Sequence, residues 1–298
     1  MGRVTQRHRI TRYRTAEATI RQREDVLAVE EPLELRVNGT AFTVTMRTPG
    51  EDFDLAAGFL VSEGAIWAKE QLAALRYCAG VDENGRQTFN VIDAELSPGV
   101  VLPDTTMERH VYTSSACGIC GSASIDAVSK SAHFRIASPE EAPDPAGALL
   151  PELISSLPGK LRASQQVFDR TGGVHAAGLF SYSGELLCLR EDVGRHNAVD
   201  KVTGWALRED RLPLDRTILQ VSGRASFELV QKAQLAGIPV LAAVSAPSSL
   251  AADLARTSGI TLIGFSRDTG FNIYAHPDRI DLSPGARDRT ATVQSAGT

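Results

Sequence analysis

Apolar and polar residues alternate with period two in two short runs, Leu33-Leu35-Val37 and Phe42-Val44-Met46, on either side of Asn38-Gly39. Both Asn and Gly tolerate positive φ, so this pattern predicts a β-hairpin. Thr48-Pro49-Gly50-Glu51-Asp52 then opens a predicted helix through about Ser62, with acids in its first turn. Two further strands are predicted at Leu75 to Ala79 and Thr88 to Ile92. Residues 96 to 116 read as loop. Residues 122 to 129, with Ile125 and Val128 at helical spacing, read as a helix.

From about residue 158 the pattern changes. Helices are predicted at 161–168, 195–207, 225–236 and 248–257, and strands at 175–180, 185–189, 217–221, 238–244, 260–265 and 272–275. Strands alternating with helices of about ten residues imply parallel strands joined by right-handed crossovers in a layered α/β sheet. The division expected is a basic arm (1–23), a small α+β domain (24–137), a linker region (138–157) that is rich in Pro, Glu and Ala over 138–146, an α/β domain (158–281) and a polar, disordered tail (282–298).

Composition narrows the class. The net charge of −5 argues against a general nucleic-acid binder. No apolar run is long enough to span a membrane, and the N-terminus lacks a secretory leader's apolar stretch, so a cytoplasmic protein is expected. Residues 1 to 23 carry seven Arg and one acid, Glu17, which reads as a solvated arm or an edge strand, with a transit peptide as the alternative.

Of four cysteines, Cys78 and Cys188 sit in separate apolar contexts, whereas Cys117-Gly118-Ile119-Cys120-Gly121 forms a pair flanked by glycine. Four readings compete for that pair: zinc ligands, a redox dithiol, an inert buried pair, or a nucleophile that carries sulfur. Zinc needs four ligands, and no His stands at knuckle spacing. A thioredoxin-type dithiol follows a strand, while this one follows a loop. A mobile Gly-rich loop suits a nucleophile, and a helix starting near Gly121 would raise its thiolate fraction.

Three predicted strand ends carry small residues with hydroxyls or arginine: Ser222-Gly223-Arg224-Ala225-Ser226, Ser245-Ala246-Pro247-Ser248-Ser249, and Phe265-Ser266-Arg267-Asp268-Thr269-Gly270. In a parallel sheet these ends share one edge, where helix N-termini and arginines suit phosphates. Helix capping by Ser226 and Ser248 is the plainer alternative. Glu191 to Lys201, with Arg195 and His196, packs polar groups around a strand-to-helix turn, and His175 opens the strand before it. These groups read either as acid–base or ligand contacts, or as a network that holds the turn.

Taken in order, Cys117–Gly121, Thr171–Ala177, Glu191–Lys201, Ser222–Ser226, Phe265–Gly270 and Tyr274-Ala275-His276-Pro277 resemble the FdhD/NarQ family of formate dehydrogenase accessory sulfurtransferases, over roughly residues 25 to 281. The resemblance implies a cytidine deaminase-like three-layer α/β/α domain preceded by a smaller α+β domain, and a homodimer. It implies that the chain takes a persulfide sulfur from a cysteine desulfurase. The sulfur then goes to the molybdenum bis(molybdopterin guanine dinucleotide) cofactor of formate dehydrogenase. Cys117 matches the persulfide-forming residue and Cys120 its partner, and Phe265, Ser266, Arg267, Asp268, Thr269 and Gly270 match the cofactor-binding stretch. Ser222, Arg224, His175 and Arg195 are the further contacts expected on the sheet edge. Ala246-Pro247-Ser248-Ser249 stands where a deaminase would place zinc-binding cysteines, so zinc chemistry and a structural metal are not expected. Two rivals remain: a cofactor-binding chaperone that transfers no sulfur, and a nucleoside deaminase.

Overall fold

The computed structural model describes residues 3–78, 80–81, 87–102, 132–138, 140–141 and 148–283. The chain begins as a two-stranded antiparallel ribbon, β1 (Thr5–Arg14) and β2 (Thr19–Ala28). The residues expected as an arm, 1–23, therefore hold all of β1 and the first five residues of β2, most of a regular hairpin.

The small domain follows: β3 (Glu31–Val37), β4 (Thr40–Arg47), α1 (Asp52–Ser62), β5 (Leu72–Tyr77), the short pair β6 (Gly80–Val81) and β7 (Gln87–Thr88), and β8 (Val91–Leu96). Its four-stranded sheet has the order β4-β3-β8-β5, with β3 parallel to β8. The β3–β4 turn puts Asn38 at φ 50° and Gly39 at φ 81°, the geometry the pair predicted. Leu33, Leu35 and Val37 face inward with Ile92 and Ala94, and all are buried against Leu55, Leu60 and Val61 of α1.

The second domain runs α2 (Pro151–Ser164), α3 (Gln166–Thr171), β9 (His175–Ser181), β10 (Leu186–Asp192), α4 (Arg195–Arg208), β11 (Thr217–Val221), α5 (Phe227–Leu235), β12 (Val240–Ala243), α6 (Ser249–Ser258), β13 (Thr261–Arg267) and β14 (Gly270–Ala275). The sheet order is β10-β9-β11-β12-β13-β14. Only β11, β12 and β13 are parallel, while β9, β10 and β14 join as antiparallel neighbours. Val199, Val202, Leu229, Val230 and Leu254 of α4 to α6 pack on one face of the sheet, and Ile154, Leu157 and Leu161 of α2 cover the other. This is the expected three-layer α/β/α arrangement.

One boundary needs correcting. The stretch 138–157 was expected to be linker, but α2 starts at Pro151 and continues the layer to Ser164. Pro151 stands in the first turn, where its missing N–H costs nothing. Pro158 lies inside the helix and reads as a breaker from composition. The buried stripe Ile154-Leu157-Leu161 offsets that cost through burial against the sheet.

The two domains are joined by close contact of α1 and α4. A Cβ placed on Gly58 would sit 1.8 Å from the Asp200 carbonyl oxygen, and one on Gly204 would sit 1.8 Å from that of Asp54. Arg190 and Arg208 both pair with buried Asp54, and Ser62 donates to Asp200 at 2.5 Å. The crossing fixes α4, whose first turn carries Arg195 and His196. No helix among the described residues is long and apolar enough to cross a membrane.

Candidate functional site

The C-terminal ends of β11, β12 and β13 lie side by side, and their loops are hydrogen-bonded to one another. Ser245 N–H donates to the Gly223 carbonyl (3.3 Å), Ser248 N–H to that of Ala225 (3.0 Å), and Phe265 N–H to that of Ser245 (3.3 Å). A parallel bridge joins Ala225 to Pro247. The three segments are thus one continuous rim. Two helices start from it, α5 and α6, and both present their N-terminal backbone N–H groups there. Ser248 caps α6 by accepting from Ala251 N–H at 3.2 Å. Ser226 makes no such cap, and its hydroxyl lies 3.3 Å from His196 Nε2. The plain capping reading therefore holds for Ser248 and fails for Ser226.

Because β9 runs antiparallel to β11, its first residue, His175, lies at the same rim. Ser222 ties the two strands there: its Oγ accepts from Ala176 N–H at 2.9 Å, and its N–H donates to the Ala176 carbonyl. The His175 ring packs beside Gly223, as does Arg195 Cδ. Burial, then the neighbouring charges of Arg195 and His196, lower the His175 pKa below the ordinary histidine value. His175 is thus biased toward the neutral ring, which can both accept and donate a hydrogen bond.

The turn after β10 divides into two halves with different jobs. Asp192, Asn197 and Lys201 face inward and hold the small domain. Lys201 Nζ lies 2.8 Å from Asp192 Oδ2 with both side chains fully buried, and it also donates to the Thr48 carbonyl at 2.9 Å. Thr48 N–H donates to Asp192, and Asn197 donates to the Met46 carbonyl. Arg195 and His196 face the rim. His196 pairs with Glu228 of α5 at 2.8 Å, and that contact holds the Glu228 carboxyl below its usual range. Arg195 makes no hydrogen bond or ion pair among the described residues, and its Nε is buried. A buried guanidinium nitrogen without a partner is costly unless an anion or water meets it. Arg224 and Arg267 are exposed and likewise make no ion pair among the described residues. A rim with helix N-termini, a histidine biased toward its neutral form and guanidinium groups that make no ion pair among the described residues suits a phosphate-bearing ligand.

Residues 28–281 match the FdhD/NarQ family profile. A Streptomyces avermitilis protein named Sulfur carrier protein FdhD is 58% identical over 96% of this chain and 99% of its own length. The Mycobacterium tuberculosis protein of the same name is 53% identical over 92% of this chain and 98% of its own. This chain belongs to the FdhD/NarQ family. A solved structure from Desulfotalea psychrophila, proposed to be a formate dehydrogenase accessory protein, superposes with a TM-score of 0.70. It covers 93% of this chain and 100% of its own at 24% identity, which speaks for the fold.

Against the family pattern, the rim gathers Ser222, Arg224, His175, Arg195 and Phe265. Phe265 adopts φ 52° and is 39% exposed, and this kink turns Ser266 inward. Ser266, expected as a ligand contact, is instead wholly buried, and its hydroxyl has no partner among the described residues. Asp268, Thr269 and Gly270 form the β13–β14 turn and line an open depression of about 1130 Å³ with Pro151, Glu152 and Ser155 of α2. The 265–270 stretch therefore reaches from the rim to the α2 side. Cys117 and Cys120, with the loop and helix expected around them, lie outside the described residues. Of the other cysteines, Cys188 is buried in β10, and its thiol is pushed up to about 12, chiefly by burial. Burial and the raised pKa both argue against it as a nucleophile at neutral pH. Glu228 was missed in the sequence reading. Its signal is an acid in the first turn of the helix that follows Ser222–Ser226, in reach of a histidine one crossover earlier.

Proposed function

We propose that this chain is a sulfur carrier that serves formate dehydrogenase. In this reading the Cys117 thiolate attacks the outer sulfur of a persulfide on a cysteine desulfurase. A Cys117 persulfide forms and the donor's thiolate leaves. Attack by the Cys120 thiolate on the Cys117 sulfur then frees the outer sulfur as sulfide. The two electrons it gains come from the Cys117 and Cys120 sulfurs, which are oxidised to a disulfide in the same step. The acceptor substrate is the molybdenum bis(molybdopterin guanine dinucleotide) cofactor. Its pyrophosphate and guanine groups are held along the rim by Arg195, Arg224, His175 and the helix N-termini. The rim itself carries the reading: three hydrogen-bonded strand ends, with arginines that make no ion pair among the described residues, in a chain whose 53–58% identical relatives are named sulfur carriers.

The test is mass spectrometry of the protein after incubation with a cysteine desulfurase and cysteine. Added sulfur is expected on the peptide that contains Cys117 and is expected to be absent in Cys117→Ala. Equal loading of that variant removes the proposal. The rival reading, a cofactor chaperone, predicts that a variant lacking both cysteines still supports formate dehydrogenase activity.

A further inference from the structure

The β1–β2 ribbon is a sheet of two strands, so each strand keeps one edge with no ladder partner among the described residues. From Gln6 to Glu24 every residue is exposed except Ile10 and Thr19, which are partly covered. Contacts to the body gather at the base, where Val29 N–H donates to the Val4 carbonyl, Arg170 donates to Thr5, and Ala28 lies by Gly173. The outer half, residues 9–14 and 19–23, stands clear with two open edges. A two-stranded hairpin is marginal in water, and a third strand is the usual remedy. Open edges are also templates on which another chain can pair.

The two faces of that outer half differ in chemistry, because successive side chains alternate across a strand. One face carries Arg12, Arg14, Arg21 and Arg23, with Arg12 directly opposite Arg21. Like charges directly opposed across a ladder are destabilising. Arg14 and Arg23 pair with Glu17 and Asp25, whereas Arg12 and Arg21 have no partner among the described residues. On the other face Gln22 donates to Thr11 at 3.1 Å, and nearer the tip Tyr13 stands opposite Ile20, 59% and 69% exposed. Arg9 lies on this face further in, opposite Glu24. A strand added at either edge meets both faces at once. Its side chains on one side lie beside the arginines, where carboxylates satisfy them. Those on the other side lie beside Tyr13 or Ile20, where apolar groups cover them. A strand that is basic on the arginine face is refused, so the charges that guard the edge also select its occupant.

We infer that the outer half of the β1–β2 ribbon receives, as a third strand, an extended segment of a partner protein in which acidic and apolar residues alternate. Main-chain hydrogen bonds hold the segment, and the side-chain period of two fixes its register. About five residues, roughly 17 Å of strand, match the outer half. A phosphate-bearing surface would satisfy the arginines but leave the open ladder edges without a partner. The ribbon lies almost wholly outside the family-matched residues 28–281, and the inference is independent of the sulfur chemistry.

The test is fluorescence anisotropy of labelled synthetic peptides titrated with the full chain. One peptide alternates glutamate and valine, and a second has the same composition with the two residue types in separate blocks. The alternating peptide is expected to bind about tenfold more tightly than the blocked one, and to weaken as salt is raised. Methylating its backbone nitrogens should abolish binding, because the ladder bonds are lost. Arg12→Gln with Arg21→Gln is expected to weaken binding by about fivefold or more, and Tyr13→Ser with Ile20→Ser by about threefold or more. Circular dichroism and the midpoint of the main unfolding transition should stay unchanged, because these side chains touch no core. Equal affinity for the two peptides, or binding that survives methylation, reduces the contact to charge attraction and overturns the inference. So does failure to bind the alternating peptide at up to about 1 mM, including the case in which the same chain takes up duplex DNA, or vesicles with about 30 mol% phosphatidylglycerol, through Arg12 and Arg21.

Discussion

Replacing Gly58 with alanine perturbs a place where the two domains touch backbone to backbone. The added methyl carbon would lie 1.8 Å from the Asp200 carbonyl oxygen and 2.7 Å from Gly204 N, and all the clashing atoms are main chain. No rotamer change relieves such a clash. To restore a contact of about 3.4 Å the helices must separate by about 1.6 Å, beyond the gap at which packed atoms have lost half of their attraction. Separation would also loosen Ser62–Asp200 and both arginine contacts to Asp54. Overpacking alone costs about 1–3 kcal/mol, and the strained buried contacts add to it, so a loss of about 3–5 kcal/mol is expected. Domains of this kind have about 5–15 kcal/mol in all, so the variant should lie near the edge of stability. The assay is urea unfolding, with Gly173→Ala as the control. Its added carbon meets nothing closer than 3.9 Å, so a change within about 0.5 kcal/mol is expected. If Gly58→Ala unfolds within about 1 kcal/mol of the wild type, the contact between α1 and α4 is looser than described and the reasoning is wrong.

Other expectations follow from the site. Asp192→Ala leaves the buried Lys201 ammonium without its carboxylate and should cost about 3–5 kcal/mol in the same assay. The His175 ring should titrate below the ordinary histidine value by NMR. Arg195→Gln should move that midpoint upward but not fully, since burial is the larger cause; an unmoved midpoint refutes the Arg195 contribution. The Glu228 carboxyl is depressed in the folded state, so its contribution is present above the ordinary carboxylate range and lost as pH falls through the folded value. Glu228→Gln should therefore narrow its stability gap from the wild type as the solution is acidified, from about 0.5–1 kcal/mol near neutrality toward zero in acid. Cys188 should resist iodoacetamide in the folded protein at pH 8 and react once urea unfolds it.

Much of the second domain was legible because its local signals agree. Strand 217–221 and the start of α4 at Arg195 were read to the residue, since apolar runs, glycine turns and polar helix starts all mark the same boundaries. The Asn38-Gly39 hairpin was legible for the same reason. The helix at Pro151 was not, because Pro158 and the preceding Pro-rich composition argue for linker and only the sheet behind Ile154 and Leu157 outweighs them. The pairing of β1 with β2 was also missed. Its strands carry so many arginines that alternation is hidden, and like charges face each other across the ladder.

The order of motifs along the chain was enough, by itself, to determine the family, the layered α/β class and the candidate rim, because each rests on residues close in sequence whose turn and capping chemistry is local. Which polar residues serve the rim and which hold the domains together was decided only in three dimensions. Asp192 and Lys201 lie inward at the small domain, while Arg195 and His196, in the same short segment, face outward. That division depends on α1 pressing against α4 at Gly58 and Gly204, a contact between residues 146 positions apart that no local pattern encodes.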